Sequence, residues 1–227
     1  MNTKVTDIQN ALRRASSVYD ALCAAAVPGA SETDLDAAIR HAAELSEVSY
    51  DLLSGPRTAA IEGGAAGRKL HQGDAVLLDL CLKEGDHWCD VCRTFFLGAV
   101  SEPAQKAYKA ALACFDLIAG MLRDNVEARA LYQAAEGFFD GLGMKGSLRH
   151  HVGHGIGRMP FEAPVAVLES ADVLKIGDVV TVEIGLYWDG ELGVRVEDDF
   201  LLTHASAVNL WTYPKALKDV ILPFDSE

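Results

Sequence analysis

Hydrophobic positions recur at helical spacing through residues 6–27, at Ile8, Leu12, Val18 and Leu22, and Pro28-Gly29 ends the run. Ser31-Glu32-Thr33-Asp34 has the form of a capping box, which predicts a second helix reaching about Leu45. A strand is expected near Val48–Leu53. The Gly- and Ala-rich stretch Ser54–Arg68 then reads as a long loop, and loops of that length in compact folds often carry function. A second pair of helices is predicted over 102–123 and 127–142, closed by Gly141-Leu142-Gly143.

The pattern then repeats. The run from Leu70 to Leu82 aligns with Leu174 to Leu186 at a constant offset: a Gly-Asp turn, an apolar strand, and a carboxylate in its second half (Asp79 and Glu183). Each strand leads through a polar turn into a returning strand that carries another acid, Asp90 in Asp-Val-Cys-Arg-Thr and Glu197 in Arg-Val-Glu-Asp-Asp. Two helices precede each hairpin. The chain is therefore expected to be α+β, with duplicated αα-hairpin halves packed about a pseudo-twofold axis and residues 1–227 forming one domain.

Composition narrows the classes. Among 227 residues, 33 acidic side chains against 20 basic ones give a net charge of −13, which repels phosphate backbones and argues against a nucleic-acid partner. No apolar run is long enough to span a bilayer, so no membrane partner is expected. The N-terminal residues have no apolar leader core, and five cysteines form an odd count; both point to a reducing, cytoplasmic setting.

Four carboxylates in apolar strands need positive partners, because burying an unpaired charge costs several kcal/mol. Arg93 and Arg195 lie nearby in sequence, and metal ions are the other solution. Between the halves lies His150-His151-Val152-Gly153-His154-Gly155-Ile156-Gly157, whose glycines permit close backbone approach and whose histidines are ready ligands. Four acids and one imidazole form an oxygen-rich set suited to two divalent ions such as Mn²⁺, Fe²⁺, Co²⁺ or Zn²⁺.

These successive motifs, from Gly73-Asp74 through Asp79, Asp90–Thr94, Gly153–Gly157, Thr181-Val182-Glu183 and Arg195–Asp198, resemble those of the pita-bread metallopeptidases. That superfamily includes methionine aminopeptidase, prolidase, aminopeptidase P and creatinase. Ser54-Gly55-Pro56-Arg57 and the stretch 209–214 place the resemblance nearest the aminopeptidase P and prolidase branch. It implies a pita-bread fold, five metal ligands at Asp79, Asp90, His154, Glu183 and Glu197, and a hydrolytic reaction. Glu183 matches the residue that shuttles a proton to the leaving amine.

The chain also departs from this pattern. Ile61-Glu62-Gly63 stands where the family has a histidine, with Glu62 in its place, and Phe161 occupies the position of a second one. Both family histidines hold substrate and stabilise an oxyanion, and loss of one such donor can cost on the order of 10²–10³ in rate. Cys81 replaces the glycine two residues after Asp79, so it either packs as a small hydrophobe or lines the pocket on the Asp79 face. His150 and His151 are candidates to orient ligands, and Arg195 to pair with a site acid. Tyr187 and Trp188 read as packing, and His41, His71, His87 and His204 as solvated.

The expected function is a metal-dependent hydrolase of Xaa-Pro aminopeptidase type acting on a small amide, modified amino acid or short peptide-like substrate. It would lack the N-terminal domain of most relatives, with a homodimer left open. The alternatives are a lyase, decarboxylase or oxidative enzyme on the same ions, and a non-catalytic binding module.

Overall fold

The computed structural model describes residues 3–44 and 46–224. Helices α1 (Thr3–Ala25) and α2 (Glu32–Ala43) precede strand β1 (Glu47–Ser54) and the hairpin β2 (Ala75–Glu84) and β3 (His87–Leu97). Helices α3 (Glu102–Met121) and α4 (Ala128–Gly141) follow, then the short strands β4 (His154–Gly155) and β5 (Glu162–Val165). The second hairpin is β6 (Val179–Trp188) and β7 (Leu192–Leu202), and β8 (Ala207–Asn209) and β9 (Ile221–Leu222) complete the sheet. Every predicted element is present with ends shifted by a few residues. The predicted terminus of α2 at Leu45 lies outside the described residues.

Local chemistry explains the ends. Ser31 accepts from the backbone N–H of Asp34, and the Asp34 carboxylate accepts from the Ser31 backbone N–H at 2.7 Å, so the capping box is reciprocal. The stretch 54–68 is more ordered than a loop: Gly55–Ala60 forms a 3₁₀ helix with Pro56 in its first turn. It is tied down by Glu32, fully buried, whose carboxylate accepts from Ser54 Oγ (2.6 Å), the Ser54 and Ala66 backbone N–H groups, and Arg57. A glutamate expected only at a helix start thus anchors both ends of the connection.

The sheet order is β1-β2-β3-β7-β6-β4-β5, antiparallel throughout this path, with β8 on β7 and β9 parallel to β3. The two hairpins therefore meet through their second strands, in the mirrored order that a duplicated unit requires. Their first strands are offset by 104 residues and their second strands by 105. α1 packs on the first hairpin and α3 on the second, burying an apolar core that includes Ile8, Leu12, Tyr19, Val91, Phe115, Ile184 and Val196 on one side of the sheet. No helix among the described residues is long and apolar enough to cross a membrane.

Between β3 and β7, Cys92 pairs with Glu197. On the helix-facing side of this seam Arg93, fully buried, donates to the carbonyls of Cys92, Glu197, Tyr213 and Pro214 and to the Asp198 carboxylate at 2.6 Å. Its guanidinium also lies 4.2 Å over the Trp211 ring. Asp198 further accepts from Asn209 and Lys215. Arg93 was one of two arginines expected among the four hairpin acids. Strand alternation turns it to the other face, where it binds the C-terminal segment to the seam. Asp198→Ala leaves that guanidinium buried without its counter-charge and should lower unfolding free energy by about 3–5 kcal/mol. A urea midpoint within 0.5 M of the parent would contradict this.

Candidate metal centre

Strand register builds the site. Asp79 on β2 lies opposite Cys92 on β3, Cys92 opposite Glu197 on β7, and Glu197 opposite Glu183 on β6. Cross-strand partners share a face, so these four side chains form one row across both hairpins. The next row begins with Cys81 opposite Asp90. Each hairpin places its two acids differently. Glu183 and Glu197 are directly opposed, but Asp79 and Asp90 sit diagonally, two residues out of register.

His154 arrives on β4, beside β6. Gly153, at φ +150°, allows the approach: a Cβ there would stand 2.2 Å from the Thr181 carbonyl oxygen. His154 Nδ1 lies 3.0 Å from the Gly155 carbonyl, which can only accept, so that nitrogen carries the hydrogen. Nε2 then points to Asp90 at 3.5 Å and Glu197 at 3.9 Å. Among the described residues three overlapping sets of donor atoms result, each with all members within 4.8 Å of one another: Asp90, His154 and Glu197; Asp79, Glu183 and Glu197; and His150, His151 and Glu183.

Arg195 lines the same face. It pairs with Asp79, lies 3.4 Å from Glu183 Oε1, and donates to the Ile61 carbonyl at 2.6 Å. Its Nε donates to the Tyr187 hydroxyl at 2.7 Å, and that hydroxyl lies 2.8 Å from His150 Nε2. Tyr187, taken from sequence as packing, thus connects His150 to Arg195. The signal for it was the spacing Glu183–Gly185–Tyr187 on one strand face: a Cβ at Gly185 would lie 2.3 Å from the Tyr187 hydroxyl and 2.4 Å from His150 Nε2. Asp199, two residues after Glu197, was also missed; it is buried and accepts from the Asp90 backbone N–H at 3.3 Å.

The remaining predicted residues are placed as follows. Cys81 adjoins Asp90, and burial together with the Asp90 and Asp79 carboxylates pushes its thiol well up, so it is a neutral wall of the site. The Phe161 ring packs against His154 with centroids 4.4 Å apart and is half exposed. Glu62 is exposed on the turn that follows the 3₁₀ helix, beside the Ile61 carbonyl held by Arg195. His151 Nδ1 lies 3.1 Å from Glu183 Oε2. His87, expected to be solvated, is instead buried and bonded to Asp7 at 2.8 Å. A cleft of about 510 Å³ lined by Pro56, Asp74, Phe96, Lys106, Trp188 and Leu192, among others, contains none of the predicted site residues.

The electrostatics ask for cations. Burial raises the carboxyls of Asp79 and Glu197 well above their usual range; Arg195 opposes this at Asp79, and the Asp90 carboxylate adds to it at Glu197. Among the described residues, both Glu197 oxygens and Asp90 Oδ1 are buried without a hydrogen-bond partner. Burial disfavours the charged form of His154, but the Asp90 carboxylate overcomes it and raises the imidazole to about 9. In the metal-free protein a proton on Nε2 thus does part of what an ion would do. These donors, hard oxygens with one imidazole and unmet acceptor capacity, fit divalent metal ions.

A pH dependence follows. A histidine near 9 when folded and about 6.5 when unfolded contributes stability that is fully present below about pH 6.5 and lost as pH rises through 9. The raised acids act in the same direction. Metal-free protein should therefore lose urea resistance between pH 6.5 and 9, while saturating Mn²⁺ should reduce or reverse that loss, because ions bind the deprotonated ligands. Rising stability of the metal-free form over this interval would refute the assignment.

Comparison with known proteins agrees with this architecture. The model of metallopeptidase family M24 matches residues 6–204. A probable dipeptidase, PepE, of Mycobacterium tuberculosis is 31% identical over 94% of this chain, which covers 59% of that protein. The chain thus spans well under two thirds of this relative's length. The crystal structure of dipeptidase PepE from Mycobacterium ulcerans superposes with a TM-score of 0.91 at 28% identity, over 98% of this chain and 61% of that one. The Xaa-Pro dipeptidase from Bacillus anthracis gives 0.89 at 27%, over 98% and 63%. With its mirrored hairpins and its row of acids, the chain has the pita-bread fold and belongs to metallopeptidase family M24.

Proposed function

We propose that this chain is a metal-dependent hydrolase that cleaves a small amide, a modified amino acid or a short peptide-like substrate. The observation that carries the reading is the convergence of Asp79, Asp90, His154, Glu183 and Glu197, with buried carboxylate oxygens that no protein donor satisfies. Glu197 is shared by the sets Asp90–His154–Glu197 and Asp79–Glu183–Glu197, and these five residues would hold two divalent ions. Such ions would lower the pKa of a water and polarise a carbonyl oxygen. Five free thiols support a reducing, cytoplasmic setting as part of the same reading.

The protein groups have distinct tasks. Glu183, the acid that faces His150, His151 and Arg195, takes a proton from the attacking water and passes it to the departing nitrogen. Arg195, held by Tyr187 and the Ile61 carbonyl, fixes Asp79 and orients the first oxygen of Glu183. Phe161 puts an apolar ring against the His154 face, where it offers a substrate no hydrogen bond and favours a small, partly apolar group. The names of the relatives, dipeptidase and Xaa-Pro dipeptidase, support peptide-like chemistry. The apolar Phe161 wall and the thiol of Cys81 favour, as a second reading, a non-hydrolytic reaction on the same ions.

Protein loaded with Mn²⁺ should hydrolyse members of a panel of small N-acyl amino acids, amino-acid amides and Xaa-Pro dipeptides, and a chelator should abolish the activity. Glu183→Gln should reduce turnover by about 10²–10⁴ while the fold is kept. Phe161→His should raise Xaa-Pro dipeptide cleavage at least tenfold by restoring a donor. A loaded, folded protein inert toward the whole panel would exclude the hydrolase reading in favour of the second.

A further inference from the structure

His150 and His151 are adjacent in sequence and both face Glu183, yet their nitrogens are used differently. His150 has none to spare. Its Nδ1 lies 2.6 Å from the His151 carbonyl, which fixes the hydrogen on that nitrogen, and its Nε2 accepts from the Tyr187 hydroxyl at 2.8 Å. The ring is held as a neutral positioning group with its one N–H and its one lone pair both engaged.

His151 is the opposite case. Its Nδ1 is buried, and among the described residues no partner meets it in hydrogen-bond geometry. That atom nevertheless lies 3.1 Å from Glu183 Oε2, close but not aligned for a hydrogen bond. This is how two donors of one ion stand: ligands about 2.0–2.2 Å from a common metal are spaced roughly 3 Å apart in octahedral geometry and roughly 3.4 Å apart in tetrahedral geometry. The two oxygens of Glu183 are correspondingly divided. Oε1 faces Arg195 at 3.4 Å and His150 at 3.5 Å, while Oε2 faces His151.

The ring is also held in place. It meets the His154 ring edge to face with centroids 5.1 Å apart, and the Phe161 ring at 5.2 Å. Its carbonyl is held by His150, and the next residue, Val152, is bonded on both sides, through its N–H to Ala166 and its carbonyl to the Glu183 N–H. A side chain so fixed has already lost the entropy that ligation would otherwise cost.

We propose that His151 is an additional metal ligand, donating Nδ1 beside Glu183 Oε2, so that the centre holds two imidazoles, His151 and His154. This rests on the reading that the acid cluster binds divalent ions. The added nitrogen shifts that side of the centre from a nearly all-oxygen set toward the nitrogen-containing sets that suit Co²⁺ or Zn²⁺.

X-ray absorption of the Co²⁺-loaded protein counts imidazoles through their outer-shell scattering and needs no substrate. The parent protein should show two imidazoles per chain. His151→Asn should show one, with weaker Co²⁺ binding by titration, by tenfold or more, and an altered visible d–d spectrum. His150→Asn should retain two imidazoles. Parent protein that binds Co²⁺ with a single imidazole, or an H151N variant with unchanged imidazole count and affinity, would overturn the inference and leave the hydrolase reading intact. Failure of the parent protein to bind Co²⁺, Mn²⁺ or Zn²⁺ would overturn both. Should H151N not fold, the count in the parent protein still decides.

Discussion

Like charge gathered at a strand junction is the constraint around which this molecule is arranged. β3 and β7 meet with carboxylates on the face away from the helices, and such a seam would be forced apart unless it were held elsewhere. It is held on both faces by a buried arginine. Arg195 engages Asp79 on the site face, and Arg93 engages Asp198 on the helix-facing side. Thr94 completes the clamp, since its hydroxyl accepts from the Arg195 backbone N–H at 2.8 Å and donates to the Arg195 carbonyl at 3.1 Å. The acids between are thereby kept close in spite of their repulsion, which the protonated His154 relieves only in part, and the arrangement would favour a bound cation.

The division of labour between the two arginines comes from strand parity alone. Residues 90, 92 and 94 face the site, and 91, 93 and 95 face the helices, so one strand supplies a carboxylate, a spacer and a hydroxyl to one side and a guanidinium to the other. Burying an ion pair seldom stabilises a fold by itself, because desolvation consumes most of the attraction. The return at Arg93 comes from five further contacts: four backbone carbonyls and the Trp211 ring. The carbonyls of Tyr213 and Pro214 join a segment far along the chain to the back of the acid row.

Much of this was legible in the sequence for reasons of periodicity. The hairpins were visible because turn, apolar run and acid recur at a fixed offset, and the helices because their apolar stripes and the Ser31–Asp34 cap are local signals. Asp79, Asp90, His154, Glu183 and Glu197 stood out as polar residues in apolar or Gly-rich surroundings. What stayed hidden depends on contacts between distant segments. The burial of Glu32 needs Ser54, Arg57 and Ala66 to close around it. The role of Tyr187 needs His150, 37 residues away, to meet its hydroxyl. His87 looked solvated because its partner, Asp7, is 80 residues away. The diagonal placement of Asp79 and Asp90 depends on hairpin register, which a two-residue turn sets and spacing alone does not reveal.

Because each hairpin contributes two of the four acids, neither contains the full donor set, and the centre exists only where the halves dock. Two of the overlapping donor sets pair Glu197, from the second half, with an aspartate from the first. An ion held there is therefore a clasp across the duplication as well as a chemical agent. Since its donors would come from both halves, the affinity for such an ion would be coupled to how closely β3 and β7 lie together.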